Sequence, residues 1–387
     1  MEDVDRIAAV DMRVLMLHNR YRAAGGEERL VAELGRLLRE RGDEVELLER
    51  SSEGLAPARA AAALLRGGIG EDDIASAVRA TRADVVHAHN VHPLLGWRAL
   101  AAAGAAGARV VLHLHNFRLF CAIGVAYRDG APCFRCRGGN TLPGLRFRCR
   151  GPLPEAATYA AALHRQLPQL LRHADRLVTV SDATLRQLVE LGVPAGQISS
   201  LPNFVAASAF ADRSRADRGL HALVAGRLVP EKGFDTAVRA CRAAGVPLVV
   251  AGEGPDEDRL RGLAGDGNVR FTGMLARDEL ARIRADAGLV LAPSRSDDAC
   301  PFAVVEALAA GVPVIASDRG GLPELAGAES TVPARDLAAW ERAITQAWNN
   351  PMDRLARGEA ALQRARERCD PDAYYEGLMR IYGRSGS

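Results

Sequence analysis

Short β-like runs alternate with longer helical patterns along almost the whole 387-residue chain, and this alternation constrains the fold more than any other feature. Such a rhythm builds parallel sheets with helices on their faces. In the first half the strand-like runs lie at 13–17, 44–48, 84–88, 108–113, 175–180 and 198–201. Residues 27–41 place Leu30, Val31, Leu34, Leu37 and Leu38 on one helical face. A second series opens at His221, with runs at 222–225, 248–251, 269–272, 289–291 and 312–316. Between the series, residues 202–219 are rich in Ala, Ser, Asp and Arg and read as a linker. The expected fold class is therefore α/β. Two doubly wound Rossmann-like domains, at 12–205 and 206–368, face each other across a cleft, and a Cys-containing insertion occupies about 116–152. Residues 369–387 carry an amphipathic helix with Tyr374, Tyr375, Leu378 and Ile381, opened by Pro371, where a missing N–H costs nothing. That helix needs an apolar surface and is expected to cross back to the N-terminal domain.

In doubly wound sheets ligands sit outside the carboxyl ends of the strands, and the chain's motifs cluster there. Of 50 basic side chains, Lys232 is the only lysine. Lysine is a compact point charge, whereas arginine is a planar fork, so a single lysine is a candidate for a place where arginine will not serve, although the last lysine had to lie somewhere. It follows a strand with Arg227 nearby, and two cations at a strand-to-helix turn make an anion pocket. Gly25 and Gly26, in the loop 21–28, let backbone N–H groups approach a ligand, although a Gly-Gly turn is also common punctuation. Gly252 and Gly254 make another strand-end turn, which reads on its own as a tight turn. The most specific stretch is 293–315. Asp298 lies just before a helix opening near Pro301 or Phe302, and Glu306 lies one turn inside it among Val304, Val305, Ala307 and Leu308. A carboxylate in such surroundings needs a partner, and carboxylates accept from vicinal hydroxyls such as those of a ribose or hexose. His87-Ala-His89-Asn90 and His113-Leu-His115-Asn116 echo one another at two neighbouring strand ends, with His113 and His115 on one face.

The net charge of +2 argues against a general nucleic-acid binder. Residues 109–176 nevertheless hold 11 arginines against Asp129, Glu155 and Asp175, a stretch able to meet phosphate, an acidic acceptor or an anionic membrane face. No apolar run reaches the roughly 18–20 residues that span a bilayer, and the acidic start Met1–Asp5 does not resemble a signal peptide. The expected location is cytoplasmic, with peripheral contact at the inner membrane face. In that reducing setting cysteines point to metal or packing. Cys133 and Cys136 have metal-knuckle spacing, Cys121 and Cys149 supply two more thiolates, and four soft ligands suit a closed structural zinc site.

On the stretches Gly-Arg-Leu-Val-Pro-Glu-Lys-Gly at 226–233 and Glu-Ala-Leu-Ala-Ala-Gly-Val-Pro at 306–313, the latter led by an acid eight residues before Glu306, the chain resembles the retaining nucleotide-sugar glycosyltransferases of family four, with the GT-B fold. The resemblance runs from about Met12 to Tyr382. It implies that Arg227 and Lys232 hold the donor diphosphate and stabilise it as it leaves, and that Glu306 holds the ribose. Asp298 would hold hydroxyls of the transferred sugar, assisted by backbone N–H groups near Cys300, Pro301 and Phe302. Gly25 and Gly26 would approach the phosphates from the other domain, Gly252, Gly254 and Met274 would line the donor site, and His115 would lie near the reacting carbon. The first acid is usually glutamate in this family, so Asp297 and Asp298 both stand as candidates. The implied reaction moves a sugar from a UDP- or GDP-sugar to a glycan, lipid-linked or small-molecule hydroxyl in polysaccharide or glycolipid assembly, without a catalytic metal. Three other readings stay open: a non-catalytic sugar-nucleotide- or glycan-binding scaffold, a zinc-stabilised nucleic-acid binder using the arginine-rich stretch, and a phosphorylase or epimerase acting on nucleotide sugars in the same fold.

Overall fold

The computed structural model describes residues 12–20 and 25–384. The N-terminal domain is built on β1 (Arg13–Arg20), β2 (Glu44–Ser51), β3 (Val85–Ala88) and β4 (Arg109–Leu114). A small hairpin of β5 (Tyr127–Arg128) and β6 (Ala131–Pro132) follows, then β7 (Arg176–Thr179) and β8 (Ile198–Ser200). The six long-range strands form one parallel sheet in the order β2-β1-β3-β4-β7-β8. The C-terminal domain contains β9 (His221–Ala225), β10 (Leu248–Ala251), β11 (Val269–Gly273), β12 (Ala287–Ala292), β13 (Val314–Ser317) and β14 (Thr331–Val332), parallel in the order β11-β10-β9-β12-β13-β14. The direction of winding reverses between β1 and β3 in one sheet and between β9 and β12 in the other. Such switch points open crevices at the carboxyl edge.

Each strand-like run in the sequence is a strand here, with ends shifted in all but Leu248–Ala251. The hairpin and β14 escaped the sequence reading because two residues carry no periodicity. The segment 202–219 links the two sheets and is itself packed. Phe204 is 1% exposed and packs on Tyr374 with ring centres 4.4 Å apart. The Asn203 amide donates to the Cys300 carbonyl at 2.8 Å, and the Ser214 hydroxyl donates to the Gly311 carbonyl at 2.6 Å. Small polar residues in this strap allow close backbone approach, so composition alone mimics a flexible connection.

The helix Pro371–Tyr382 crosses back to the N-terminal sheet. Its buried side chains Tyr374, Leu378 and Tyr382 join a single apolar cluster that runs from Val14 and Met16 through Phe204 to Val304 and Leu308, so the two domains share a core. At its end the Tyr382 hydroxyl lies 2.7 Å from His87 Nδ1 on β3. Burial raises the Tyr382 pKa well above 10 and lowers that of His87 to about 3, so this is a hydrogen bond between two neutral groups. Replacing Tyr382 by Phe leaves a buried ring nitrogen unpaired and is expected to cost about 1–3 kcal/mol. Urea unfolding measures this, and an unchanged midpoint would mean that the tie is immaterial.

Candidate active site in the interdomain cleft

β9 and β12 flank the switch point of the C-terminal sheet, and their loops lie side by side. The Arg295 N–H donates to the Glu231 carbonyl at 2.7 Å, joining the turn after β9 to the loop after β12. This contact sets Lys232 against Asp298: Nζ donates to the two carboxylate oxygens at 2.9 and 2.7 Å. Both side chains are about a fifth exposed (22% and 20%), which shields the pair from full solvent screening. Arg227, on the same turn, is exposed and forms no ion pair among the described residues. The neighbouring acids differ. Burial pushes the Asp297 carboxyl up, opposed first by Arg319, while Asp298 is the one that faces the lysine.

Gly252 and Gly254 hold this turn from below. A Cβ on Gly252 would lie 2.0 Å from the Gly226 carbonyl oxygen, and one on Gly254 would lie 2.3 Å from that of Leu228. Their smallness is thus accounted for by the chain's own backbone, as a tight-turn reading expects. The Leu228 N–H donates to the Glu253 carbonyl at 2.9 Å, completing the seat. The Glu253 carboxylate accepts from the Met274 N–H at 3.1 Å, while the Met274 side chain stands 68% exposed at the rim.

Glu306 is 6% exposed and does find partners. One carboxylate oxygen pairs with Arg284 of its own domain and the other with Arg29, from the helix Gly26–Glu40 of the opposite domain. The Arg29 guanidinium also sits 4.4 Å from the centre of the Phe302 ring, and Gly26 faces that ring as well. Arg277 and Glu33 make a second pair across the cleft. A third tie comes from Glu324, whose carboxylate accepts from the Asp182 and Ala183 N–H groups at 3.0 and 2.6 Å, at the N-terminus of the other domain's helix. None of Arg29, Arg284 or Glu324 was singled out by the sequence. A basic residue in the first turn after Gly-Gly was the available signal for Arg29.

The expected backbone donors near Cys300, Pro301 and Phe302 lie at the start of a helix. Pro301, the residue before the helix Phe302–Ala309, has no N–H, so the donors at that end belong to Phe302 and Ala303. Cys300 is 7% exposed, and its carbonyl is taken by Asn203. On the other side of the cleft, the Gly25 N–H already donates to the Glu28 carboxylate at 2.8 Å. The preceding residues 21–24 of that loop lie outside the described residues.

At the carboxyl edge of the N-terminal sheet the two histidine echoes merge. His18, His87, His89, His113 and His115 share one face of β1, β3 and β4 and the loops that follow them. His89 Nδ1 lies 3.0 Å from His115 Nε2, and His113 Nδ1 lies 3.3 Å from His87 Nε2. Burial holds His115 down to about 3, reinforced by its histidine neighbours and opposed by Glu28, so its ring is neutral at neutral pH. It lines a crevice with Glu27, His92, Asn116 and Arg118. No hydrogen bond or ion pair joins it to Lys232 or Asp298 among the described residues.

Residues 24–208 match the family model described as Glycosyltransferase Family 4, and residues 209–364 match Glycosyl transferases group 1. Together the two models account for both domains of the chain, which is thus similar along its length to glycosyltransferases of the group 1 type. A putative colanic acid biosynthesis glycosyltransferase of Salmonella typhimurium is 29% identical over 231 residues, covering 55% of this chain and 56% of that one. A GDP-mannose-dependent phosphatidylinositol monomannoside mannosyltransferase of Mycobacterium tuberculosis is 43% identical over 113 residues, covering 25% of this chain and 29% of that one. The chain thus spans about half the length, or less, of these curated relatives. Among solved structures, a glycosyltransferase from Rickettsia africae aligns at TM-score 0.69 and 13% identity, covering 97% and 98% of the two chains. Anabaena HepE in complex with UDP aligns at 0.64 and 17%, covering 96% and 100%. These likenesses show the GT-B fold.

Proposed function

We propose that this glycosyltransferase moves a sugar from a nucleoside diphosphate sugar to an acceptor hydroxyl with retained anomeric configuration, and that it needs no catalytic metal. The observation that carries this reading is the Lys232–Asp298 pair at the β9/β12 switch point, with Arg227 exposed on the same turn. As the donor's leaving diphosphate gains charge, Lys232 and Arg227 stabilise it in a site shielded by domain contacts. The Asp298 carboxylate, relieved of Lys232 by the phosphate, accepts from hydroxyls of the transferred sugar. Glu306 receives the ribose by exchanging its Arg29 contact for hydroxyl donors, while Arg284 keeps it oriented. His115, neutral, positions the sugar through hydrogen bonds rather than as a cationic acid. The leaving phosphate oxygen takes the acceptor's proton on the same face, so no separate base is required.

The names of the relatives put glycan and glycolipid assembly forward as the acceptor class, and the arginine-rich stretch 109–176 suits an anionic acceptor or membrane face. No helix among the described residues is long and apolar enough to cross a membrane. A thermal-shift screen of UDP- and GDP-sugars, followed by radiolabelled transfer, tests the reading. One donor class is expected to raise the midpoint by mass action and to be turned over. Stabilisation without hydrolysis or transfer would favour a binding scaffold. No response to any nucleotide sugar would sink the proposal.

A further inference from the structure

After His115 the chain leaves the sheet for an excursion, residues 116–152, before the helix Leu153–His173 brings it back. Its regular structure is the two-residue-stranded hairpin and a single short helix, Leu142–Arg146. A segment this long with so little hydrogen-bonded framework needs another source of order. The hairpin also has a demanding position. Its tip, Gly130, faces the Arg335 guanidinium of the C-terminal domain, so it reaches across the mouth of the cleft.

Four turns of this excursion present cysteines to one cavity. Cys121 follows the turn at Phe117, Cys133 follows β6, Cys136 closes the two-residue knuckle, and Cys149 follows the short helix. All four are free thiols of intermediate exposure, reachable from solvent, whereas Cys241, Cys300 and Cys369 are buried elsewhere in the packing. No three of the four sulfurs lie within 4.8 Å of one another, so ligation would draw the turns inward onto the cavity. The surrounding charge favours that contraction. A tetrathiolate zinc centre carries net negative charge, and residues 116–152 hold seven arginines against the single acid Asp129. One of them, Arg128, places Nη1 3.7 Å from Cys149 Sγ and its guanidinium 4.9 Å from the Phe147 ring centre.

We infer that Cys121, Cys133, Cys136 and Cys149 bind one structural zinc ion that staples the excursion and fixes the hairpin over the cleft. A second cluster, His87, His89 and His113, brings ring nitrogens within 4.8 Å of one another. It is a poorer site, because it is fully enclosed and both ring nitrogens of His87 are already engaged, one by Tyr382 and the other by His113. The zinc inference does not depend on the transferase reading, since its readout is metal content.

The test uses the full chain, purified with reductant and without a polyhistidine tag. Native mass spectrometry and elemental analysis are expected to find about one zinc per chain. Cobalt exchange is expected to give sulfur-to-metal charge-transfer absorption. Cys133→Ser with Cys136→Ser should abolish the metal, while Cys241→Ser should keep it. Should the double variant fail to fold, the wild-type protein decides: chelation should remove the ion and open residues 116–152 to protease while the two domains stay resistant. Metal-free wild-type protein, or disulfides among the four cysteines, would overturn the inference. So would zinc that survives the cysteine substitutions and is lost from His113→Asn.

Discussion

Replacing Lys232 by alanine is expected to lower transfer by about 10²–10³-fold, the usual effect of deleting one group that stabilises charge developing in a transition state. The loss should fall on kcat, because the diphosphate gains charge only as the bond to the sugar breaks. The variant also strands Asp298, which is about a fifth exposed and accepts both of its short contacts from Nζ. Part of the defect could therefore be structural, and a double-mutant cycle separates the two. Asp298→Asn in the Lys232→Ala background should recover stability, since no unpaired carboxylate remains, and should not recover turnover. Lys232→Arg should fall at least about tenfold, because a planar fork cannot reproduce a point charge. There is little room to adjust: a Cβ on the adjoining Gly233 would already lie 2.1 Å from the Pro293 carbonyl oxygen. Full activity in Lys232→Arg would remove the reason for a lone lysine at this turn. Unaltered kcat in Lys232→Ala would remove the leaving-group role itself.

What could be read in advance was local. The Lys232 turn and the Asp298–Glu306 stretch each occupy one short segment, and the strand-to-helix rhythm places both at a sheet edge without knowledge of any distant residue. Glu306 was legible as a buried acid needing a partner, yet its partners were not. Arg284 lies 22 residues upstream and Arg29 in the other domain, and their meeting depends on how the domains close. Glu324 escaped for the same reason, since it caps a helix 142 residues away. The linker at 202–219 was legible as a connection between the two sheets, but its packing was not, because small polar residues look alike whether they are solvated or, like Ser214, wedged between backbones. The histidine echoes showed in the sequence, but their closure by Tyr382, 295 residues along, comes from the crossover helix and has no local signature.

That histidine cluster, with His92 in the same crevice, carries the second large expected effect, a steep loss of stability in mild acid. His87, His92 and His115 are held to about 3 by burial, and His89 and His113 are held well below their ordinary value by burial and by one another. In the unfolded chain each binds a proton below about 6.5. Their stabilising contribution is therefore complete above that pH and is lost as pH falls toward the folded values. Between those limits the unfolded state holds more protons, and each such histidine costs about 1.4 kcal/mol per pH unit. Five together cost about 7 kcal/mol per unit, so a total stability of roughly 5–15 kcal/mol is consumed within about one to two units. The carboxylates of Glu33 and Asp84, lowered in the folded state by Arg36 with Arg277 and by Arg13, act in the same direction at lower pH. Arg118 faces His92 and favours its neutral form, while Glu28 near His115 opposes the trend. Urea unfolding followed from about pH 7 to pH 4.5 should give a slope approaching five protons, and His92→Gln should reduce it by about one. Acid release of a cysteine-bound metal would lower stability in the same sense, so the profile must keep its slope in chelator-treated protein. A stability that is flat across this range would mean that the rings are protonated in the fold, and a neutral hydrogen-bonding His115 would then have no basis.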